Sequence, residues 1–428
     1  MSSGGQNFSR RLKRNVSWIF FGNVTYALLQ FLLNLYVAHR LSLEAKGLVD
    51  YAASWITMLT AVASLGYNGM ITREMTEHAD RQGDYLCSCM VSYAVTGVLC
   101  MGVLQVIVRL MNPGEPLLYL ITLCQSTSIV FSSLNLFVYW YRFSDHADTA
   151  ALLRLLAFAL SALWRIVALQ KPNGLILYVI GTAAEALIFG AFLGILFFRR
   201  YKGSFRYSLQ IAVSVLKKSY PFIFAGILGT IYEQADRIML KSMIGPESVA
   251  LYSAAAVLAG ALSMIPSSLI EGFRPDIMEY KFRDEHLYLK RFRQLYAVIF
   301  WSSIAYCVFV TLFARPIMLL TYGEKYAGAV GALSLIVWYT AFSYFGSVNN
   351  MYMVAENKNR WVQIITLIGA AGNILLNAVM IPRWGIAGAA LASLLTQVLA
   401  NFIMMWLIPD LRSGFYNMIR GIALRDIR

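Results

Sequence analysis

Two arginines fall inside a predicted membrane span, where an ionised side chain needs a partner or water. Arg154 and Arg165 both belong to the span predicted at 149–169. On a helix their separation rotates the chain by about 1,100°, which leaves the side chains about 20° apart and about 16 Å apart along the axis. An arginine at a helix centre costs about 2.5–3.5 kcal/mol on insertion scales, and such residues usually mark a functional site. The spacing therefore predicts two cations lining a cavity, with snorkelling of each guanidinium to a membrane border as the alternative.

Three more ionisable side chains interrupt the apolar stretch "GTIYEQADRIMLKSMIG" at 229–245. Glu233 and Arg237 are one helical turn apart and can form an ion pair within the helix. Asp236 then needs a cation on another helix, such as one of the two arginines above, or water. Glu185, in the sixth predicted span, is also unpaired within its own helix. A desolvated carboxylate can exchange protons near neutral pH, so either Asp236 or Glu185 could couple proton movement to conformational change, whereas structural pairing is equally open for Glu233.

Polar residues form a stripe along one face of each of the first two predicted spans. The first stripe consists of Asn23, Gln30 and Asn34, and the second includes Asp50, Ser54 and Thr57. A helix face of this kind needs water or protein beside it rather than lipid. Lining of a polar cavity and hydrogen bonding between helices explain these residues equally well.

The composition indicates a protein embedded in a membrane. Hydrophobic residues make up 59% of the 428 residues and charged residues 14%, with a mean hydropathy of +0.60. About 20 helical residues cross the hydrocarbon core of a bilayer, and we identify about 12 segments of this kind. The predicted fold is therefore all-α and polytopic, with about 12 transmembrane helices.

The distribution of basic residues predicts the orientation. If both termini are cytoplasmic, most of the 36 Lys and Arg residues lie on the cytoplasmic side, as the positive-inside rule requires. The net charge of +14 then reflects topology and contact with anionic membrane lipids, and no nucleic acid is expected as a partner.

No pattern for covalent chemistry emerges. The five cysteines have no zinc or disulfide spacing, and the four histidines are scattered, without a metalloprotease motif or a nucleotide-binding loop. We therefore expect a transporter and not an enzyme, with no cofactor or metal. Its energy would come from a proton or Na⁺ gradient, the membrane potential or the gradient of the substrate.

A basic segment divides the predicted spans six and six. The predicted organisation is an N-terminal six-helix lobe at 1–198, a cytoplasmic amphipathic linker at 199–219, a C-terminal six-helix lobe at 220–408 and a cytoplasmic tail at 409–428. Similar turns in the two lobes, "RLSLEAKGLVDYAAS" and "MIGPESVALYSAAA", favour a duplicated six-helix bundle in parallel orientation.

Four segments in order resemble the Wzx-type oligosaccharide flippases of the multidrug/oligosaccharidyl-lipid/polysaccharide exporter superfamily. They are "NVSWIFFGN" (15–23), "AHRLSLEAKGLVDYA" (38–52) with "LGYNGMITRE" (65–74), "DRIMLKSMIGPESVALYSAA" (236–255) and "NILLNAVMIPRWGIAGAALAS" (373–393). The resemblance covers almost the whole chain. The family usually has Gly-Pro in the first turn, where this chain has "LSLEAKG", which weakens the register at that point but not the fold.

The resemblance implies two six-helix lobes in a V-shaped exporter fold that opens alternately to the two sides of a bacterial cytoplasmic (inner) membrane. The implied substrate is an oligosaccharide repeat unit on a polyprenyl pyrophosphate, used for surface polysaccharide such as O-antigen and lipopolysaccharide, with a polysaccharide polymerase as a further partner. Arginine suits bidentate phosphate contacts. The implied headgroup ligands are Arg154, Arg165, Arg237 and Arg40.

Two other functions compete with this one. A multidrug-type exporter of small cations shares the fold but needs an acidic chamber, which the three intramembrane arginines disfavour. A membrane glycan polymerase or ligase, from a different class, generally has a large outside loop with catalytic residues, and here all the predicted outside loops are short.

Overall fold

Helices make up nearly all of the computed structural model, which describes residues 3–144, 146–172 and 174–425. No strand occurs within those ranges. The chain forms two compact units, one ending at Thr230 and the other beginning at Ile231. The boundary lies inside a single continuous helix.

The helices of the first unit are α1 (Ser3–Arg40), α2 (Leu43–Ala63), α3 (Ile71–Glu77), α4 (Gln82–Met111), α5 (Pro116–Phe131), α6 (Phe137–Phe143), α7 (Ala147–Ala168), α8 (Gly174–Arg200) and the first part of α9 (Leu209–Met243). The second unit contains the rest of α9 and α10 (Pro246–Ala259), α11 (Met264–Tyr280), α12 (Glu285–Leu312), α13 (Ala314–Tyr322), α14 (Val330–Ala355), α15 (Asn359–Val398), α16 (Met404–Leu407) and α17 (Arg412–Ile422). The last three residues of the predicted tail lie outside the described ranges.

The hydropathy of these helices confirms an all-α polytopic membrane protein. Among the described residues, eight helical segments are long and apolar enough to span a membrane, and a ninth arises if α10 and α11, which meet at a 46° bend, form one span. Two further predicted spans coincide with α1 and α2. The segment Asn359–Leu407 is 49 residues long and contains two predicted spans.

The predicted linker at 199–219 is partly helical. It covers the end of α8, an irregular stretch and the first part of α9, which continues without a break into the next predicted span. Ile211 and Val215 are buried, whereas Leu209 and Val213 are exposed. The start of α9 therefore has apolar residues on two faces, whereas an amphipathic helix would have them on one.

The predicted turn between the last two spans is present within α15. The sequence predicts a turn at Pro382, Trp384 and Gly385, and the helical backbone breaks at Gly385, where φ is 59° and ψ is −135°. The segments on the two sides of this break lie against each other, since Asn373 Nδ2 donates to Ser393 Oγ at 3.0 Å. Residues other than glycine rarely adopt this conformation. A Cβ at Gly388 would lie 2.3 Å from the Met380 carbonyl oxygen. The helix after the turn therefore packs directly on the backbone of the helix before it.

This geometry predicts that Gly385→Ala lowers the free energy of unfolding by about 1–3 kcal/mol through backbone strain. Space is not the limit, because the atom nearest to the added methyl group would be Ile244 Cδ1, 3.8 Å away. The measurement is thermal unfolding of the detergent-purified variant. The control is Gly102→Ala in regular helix α4, where a Cβ would meet nothing within 4 Å and stability should not fall. Equal losses in both variants would contradict the strain at Gly385.

Candidate functional site in the first unit

The first unit contains a cavity of about 870 Å³ with a polar lining. This volume lies in the range of small-molecule sites. The charged lining residues are Arg142, Arg154 and Glu185, the amides are Asn23, Asn68 and Asn135, and the aromatic residues are Tyr26, Tyr93, Tyr139 and Phe189. A cavity with these side chains offers hydrogen bonds, aromatic faces and charge to one ligand.

Close packing of α1 on α7 positions Arg154. The two helices approach at Gly22, where a Cβ would lie 3.3 Å from the Ala151 Cβ. The Arg154 guanidinium carbon lies 4.0 Å from the centre of the Tyr26 ring, a cation–π contact worth about 0.5–2 kcal/mol. Within the described ranges, Arg154 forms no ion pair. Its charge is therefore held by a neutral ring and is available to an anion in the cavity.

Glu185 has its own counterion in a residue that does not line the cavity. The buried Arg165 guanidinium donates to the Glu185 carboxylate and to Ser161 Oγ at 2.7 Å. The Tyr26 hydroxyl donates to Glu185 Oε1 at 2.7 Å. Arg165 is thus a partner of Glu185 and is not among the residues lining the cavity, so its predicted role as a headgroup ligand gains no support from this cavity.

A glycine on α8 makes room for this ion pair. Gly181 lies one turn before Glu185 on the same helix face. A Cβ at Gly181 would lie 2.5 Å from Trp164 Cδ1 and 2.9 Å from Arg165 Cγ. The missing side chain lets α7 and α8 approach until the Arg165 side chain reaches the carboxylate.

The cavity has a positive charge balance. Arg165 offsets Glu185, which leaves Arg142 and Arg154 as lining cations without an ion pair in the described part of the chain. Arg142 lies over the Tyr139 ring, with its guanidinium carbon 5.5 Å from the ring centre. Two guanidinium groups on one cavity can bind a phosphate or diphosphate through paired hydrogen bonds.

Sequence reasoning missed Arg142 because it lies just after the predicted span at 116–141. The signal that marks it is the run "VYWYRF", where an arginine follows aromatic residues at the end of a helix and one of those aromatic rings holds it. Tyr26 was also missed, since an isolated tyrosine on a membrane helix has no distinctive sequence pattern.

The polar stripe of α1 is only partly in the cavity. Asn23 lines it, whereas Gln30, Asn34 and Arg40 are not among its lining residues. Arg40 is exposed and lies over the Tyr36 ring at 5.4 Å. The predicted headgroup role of Arg40 gains no support from this cavity.

The polar residues of α2 bond within their own helix. The Ser54 hydroxyl donates to the Asp50 carbonyl at 3.0 Å, and the Thr57 hydroxyl donates to the Ala53 carbonyl at 2.8 Å. The Asp50 carboxylate pairs with Lys46 at 2.5 Å. None of these residues is among the lining residues of the cavity, so the predicted lining by Asp50, Ser54 and Thr57 gains no support from it.

In the second unit, Asp236 is buried and bound by neutral donors. Its carboxylate accepts from the Tyr252 hydroxyl, from Asn377 Nδ2 at 2.6 Å and from Ser393 Oγ at 2.6 Å. Its partners on other helices are thus hydroxyls and an amide rather than the predicted cation. Of the two fifth-span arginines that were candidate partners, Arg165 binds Glu185 and Arg154 lies over Tyr26.

The predicted ion pair between Glu233 and Arg237 does not form. The Glu233 side chain is exposed. The Arg237 guanidinium donates to Gln234 Oε1 at 3.0 Å, to Ser253 Oγ at 3.1 Å and to the Glu233 backbone carbonyl at 3.4 Å. The Arg237 guanidinium therefore donates to uncharged oxygens and not to the Glu233 carboxylate.

The Arg165–Glu185 pair predicts a strong coupling in unfolding experiments. Arg165→Met should lower the free energy of unfolding by about 2–4 kcal/mol, because it leaves a largely buried carboxylate without its counterion. The double variant Arg165→Met/Glu185→Gln should recover more than half of that loss. A thermal-unfolding double-mutant cycle measures the coupling. Additive losses would show that the two side chains do not act as a pair.

Comparison with known proteins places the chain in a family. Residues 12–272, more than half of the chain, match the family described as "Polysaccharide biosynthesis protein". The lipid II flippase MurJ of Bacillus subtilis (strain 168) is 22% identical over 415 residues, covering 84% of this chain and 76% of that protein. These relatives are named for polysaccharide synthesis and lipid flipping.

Solved structures show the same fold. A structure of the lipid II flippase MurJ in an inward closed conformation has a TM-score of 0.74 at 14% identity, covering 95% of this chain and 90% of that chain. An inward-facing multidrug resistance MATE family transporter of the MOP superfamily has a TM-score of 0.62 at 16% identity, covering 93% and 95%. The fold is that of these flippases and transporters, and by its family match the chain belongs to the polysaccharide biosynthesis protein family.

Proposed function

We propose that this protein is a flippase of the Wzx type, which moves polyprenyl-pyrophosphate-linked oligosaccharide repeat units across the bacterial cytoplasmic membrane for surface polysaccharide assembly. The observation that carries this proposal is Arg154, an arginine without an ionic partner in the described ranges, held over Tyr26 beside a polar cavity. Arg142 adds a second cation to the same cavity. A diphosphate joined to sugars fits a site with two guanidinium groups, amides and aromatic rings.

The relatives support the substrate class. Lipid II flippase is the name of the MurJ relative, and the matching family is named for polysaccharide biosynthesis. A small organic cation, the substrate of the competing multidrug function, would meet the positive charges of Arg142 and Arg154 in this cavity. We place both termini on the cytoplasmic side, in keeping with the basic residues there, and expect a polysaccharide polymerase to consume the flipped product.

Transport by the reconstituted protein tests this function. Arg154→Ala should lower the rate of flipping of a lipid-linked oligosaccharide in vesicles at least about tenfold, since a charge-assisted hydrogen bond is worth about 1.5–3 kcal/mol. Arg154→Lys should retain an intermediate rate, because it keeps the charge but not the bidentate geometry. The matched control is Arg109→Ala, which removes an exposed arginine that lies over Tyr119 at 5.8 Å and does not line the cavity. An unchanged rate in Arg154→Ala would overturn the assignment.

We propose Asp236 as the coupling carboxylate. It is 4% exposed and its partners are neutral donors, so a proton or a small cation could join the cluster without displacing a positive side chain. The Asn377 side-chain oxygen beside it is buried without a hydrogen-bond partner in the described ranges, which suits an added proton donor or cation.

Ion-gradient dependence tests this coupling role. Asp236→Asn should abolish the stimulation of flipping by an imposed proton or Na⁺ gradient while the flipping driven by the substrate gradient persists. The measurement compares rates in vesicles with and without each gradient. If the variant responds to the gradients as the unmodified protein does, Asp236 is not the coupling group.

A further inference from the structure

A short stretch of 3₁₀-helix interrupts the fourth predicted span at the cavity. Residues Ser132–Leu136 form this turn between α5 and α6, inside the single apolar segment Pro116–Phe143. A 3₁₀ turn within a longer helix is energetically poorer than α-helix and often marks a functional position. Ser132, Asn135 and Leu136 from this turn line the cavity.

Packing against α8 fixes the turn in place. Leu134 fits against Gly190, where a Cβ would lie 2.3 Å from the Leu134 Cβ. This contact leaves no room for a side chain at Gly190. The orientation of the turn, and with it the position of Asn135 in the cavity wall, is therefore set by the backbone of α8.

Asn135 differs from the other polar side chains of this turn. The hydroxyl of Ser132 donates to the Ser128 carbonyl at 2.7 Å, and that of Ser133 donates to the Val130 carbonyl at 2.7 Å. The side-chain oxygen of Asn135 is buried and has no hydrogen-bond partner in the described part of the chain. Most buried polar groups in proteins have a partner. Asn135 itself lines the cavity, and rotation of its amide about the last side-chain torsion, which is soft in asparagine, would present this unpaired oxygen to a ligand there.

The other residues that line the cavity indicate the chemistry of such a ligand. Tyr26, Tyr93 and Tyr139 line the cavity together with Asn135, and aromatic faces beside amides suit a ring with apolar faces and hydroxyl edges. The guanidinium groups of Arg142 and Arg154 are the proposed ligands for phosphate in the same cavity. A hydroxyl or amide N–H on a sugar attached to that phosphate can donate to Asn135.

We propose that Asn135 is a specificity-determining residue that binds the sugar next to the diphosphate, separately from the arginines that bind the diphosphate. This inference rests on the proposed function and adds the position at which the sugar is recognised. A site built to accept a hydrogen bond discriminates against a ligand that lacks the donor, because its buried polar group then stays unpaired.

Binding of a sugar-free probe and of two sugar-bearing probes tests whether Asn135 and the arginines bind separate parts of the ligand. The probes are farnesyl diphosphate with a methyl ester on its terminal phosphate, which gives it the charge of the sugar-bearing diester, and farnesyl diphosphate carrying one sugar, either glucose or N-acetylglucosamine. Their affinities for the purified full-length protein are measured side by side. The unmodified protein should bind at least one sugar-bearing probe about tenfold more tightly than the sugar-free probe. Asn135→Leu, nearly the same size, should abolish this preference and leave the affinity for the sugar-free probe unchanged.

Two further variants separate the possible outcomes. Asn135→Asp keeps an acceptor oxygen but adds a negative charge, so both affinities should fall together and their ratio should persist. Arg154→Ala should weaken both probes. If the unmodified protein binds no probe, or Arg154→Ala leaves binding unchanged, the proposed function fails. If the sugar-free probe binds through Arg154 but the protein shows no sugar preference, or Asn135→Leu keeps one, only the role of Asn135 fails.

Thermal unfolding distinguishes a recognition role from a structural one. Asn135→Leu should unfold at the same temperature as the unmodified protein or at a higher one, because it removes an unpaired buried polar group. A lower unfolding temperature would assign Asn135 to the packing of the turn and overturn the proposal.

Discussion

An ionised side chain within the thickness of a membrane needs a counterion, hydrogen-bond partners or water, and this requirement explains how the site is built. Glu185 has a counterion in Arg165 and a hydroxyl donor in Tyr26. Asp236 has three neutral donors. Arg154 has an aromatic face and a polar cavity. Arg154 and Glu185 both line the cavity, but the charge of Glu185 is offset by Arg165, so Arg154 is the residue of these three that offers an uncompensated charge to a ligand.

The site is one network rather than a set of separate residues. Tyr26 donates to Glu185 and carries the Arg154 guanidinium on its ring, so it joins α1, α7 and α8 at the cavity wall. Arg165 donates to Glu185 and offsets its charge, so we infer that this carboxylate leaves the charge of Arg154 largely uncompensated. A residue that does not touch the ligand can therefore set the electrostatic potential that the ligand meets.

The class of fold was predictable because apolar length and basic asymmetry are properties of the chain itself. The importance of Arg154 and Glu185 was also predictable, because isolated charges in apolar spans are costly. The sequence could not predict which side chains these charged residues contact, because the contacts depend on which helices pack together. Glycines at 22 and 181, which look like ordinary small residues, allow the approaches that bring Arg154 over Tyr26 and Arg165 to Glu185. Arg142 and Asn135 became visible only when the cavity linked the turn Ser132–Leu136 with α6 and α7.

The most direct measurement of the central claim is an experimental structure of the protein bound to farnesyl diphosphate. We predict that the phosphates lie in the cavity of the first unit, within hydrogen-bonding distance of Arg154 and Arg142, while Arg165 stays bonded to Glu185. A structure in which the diphosphate binds elsewhere, or in which Arg154 turns to Glu185 and leaves the cavity without a free cation, would contradict this claim.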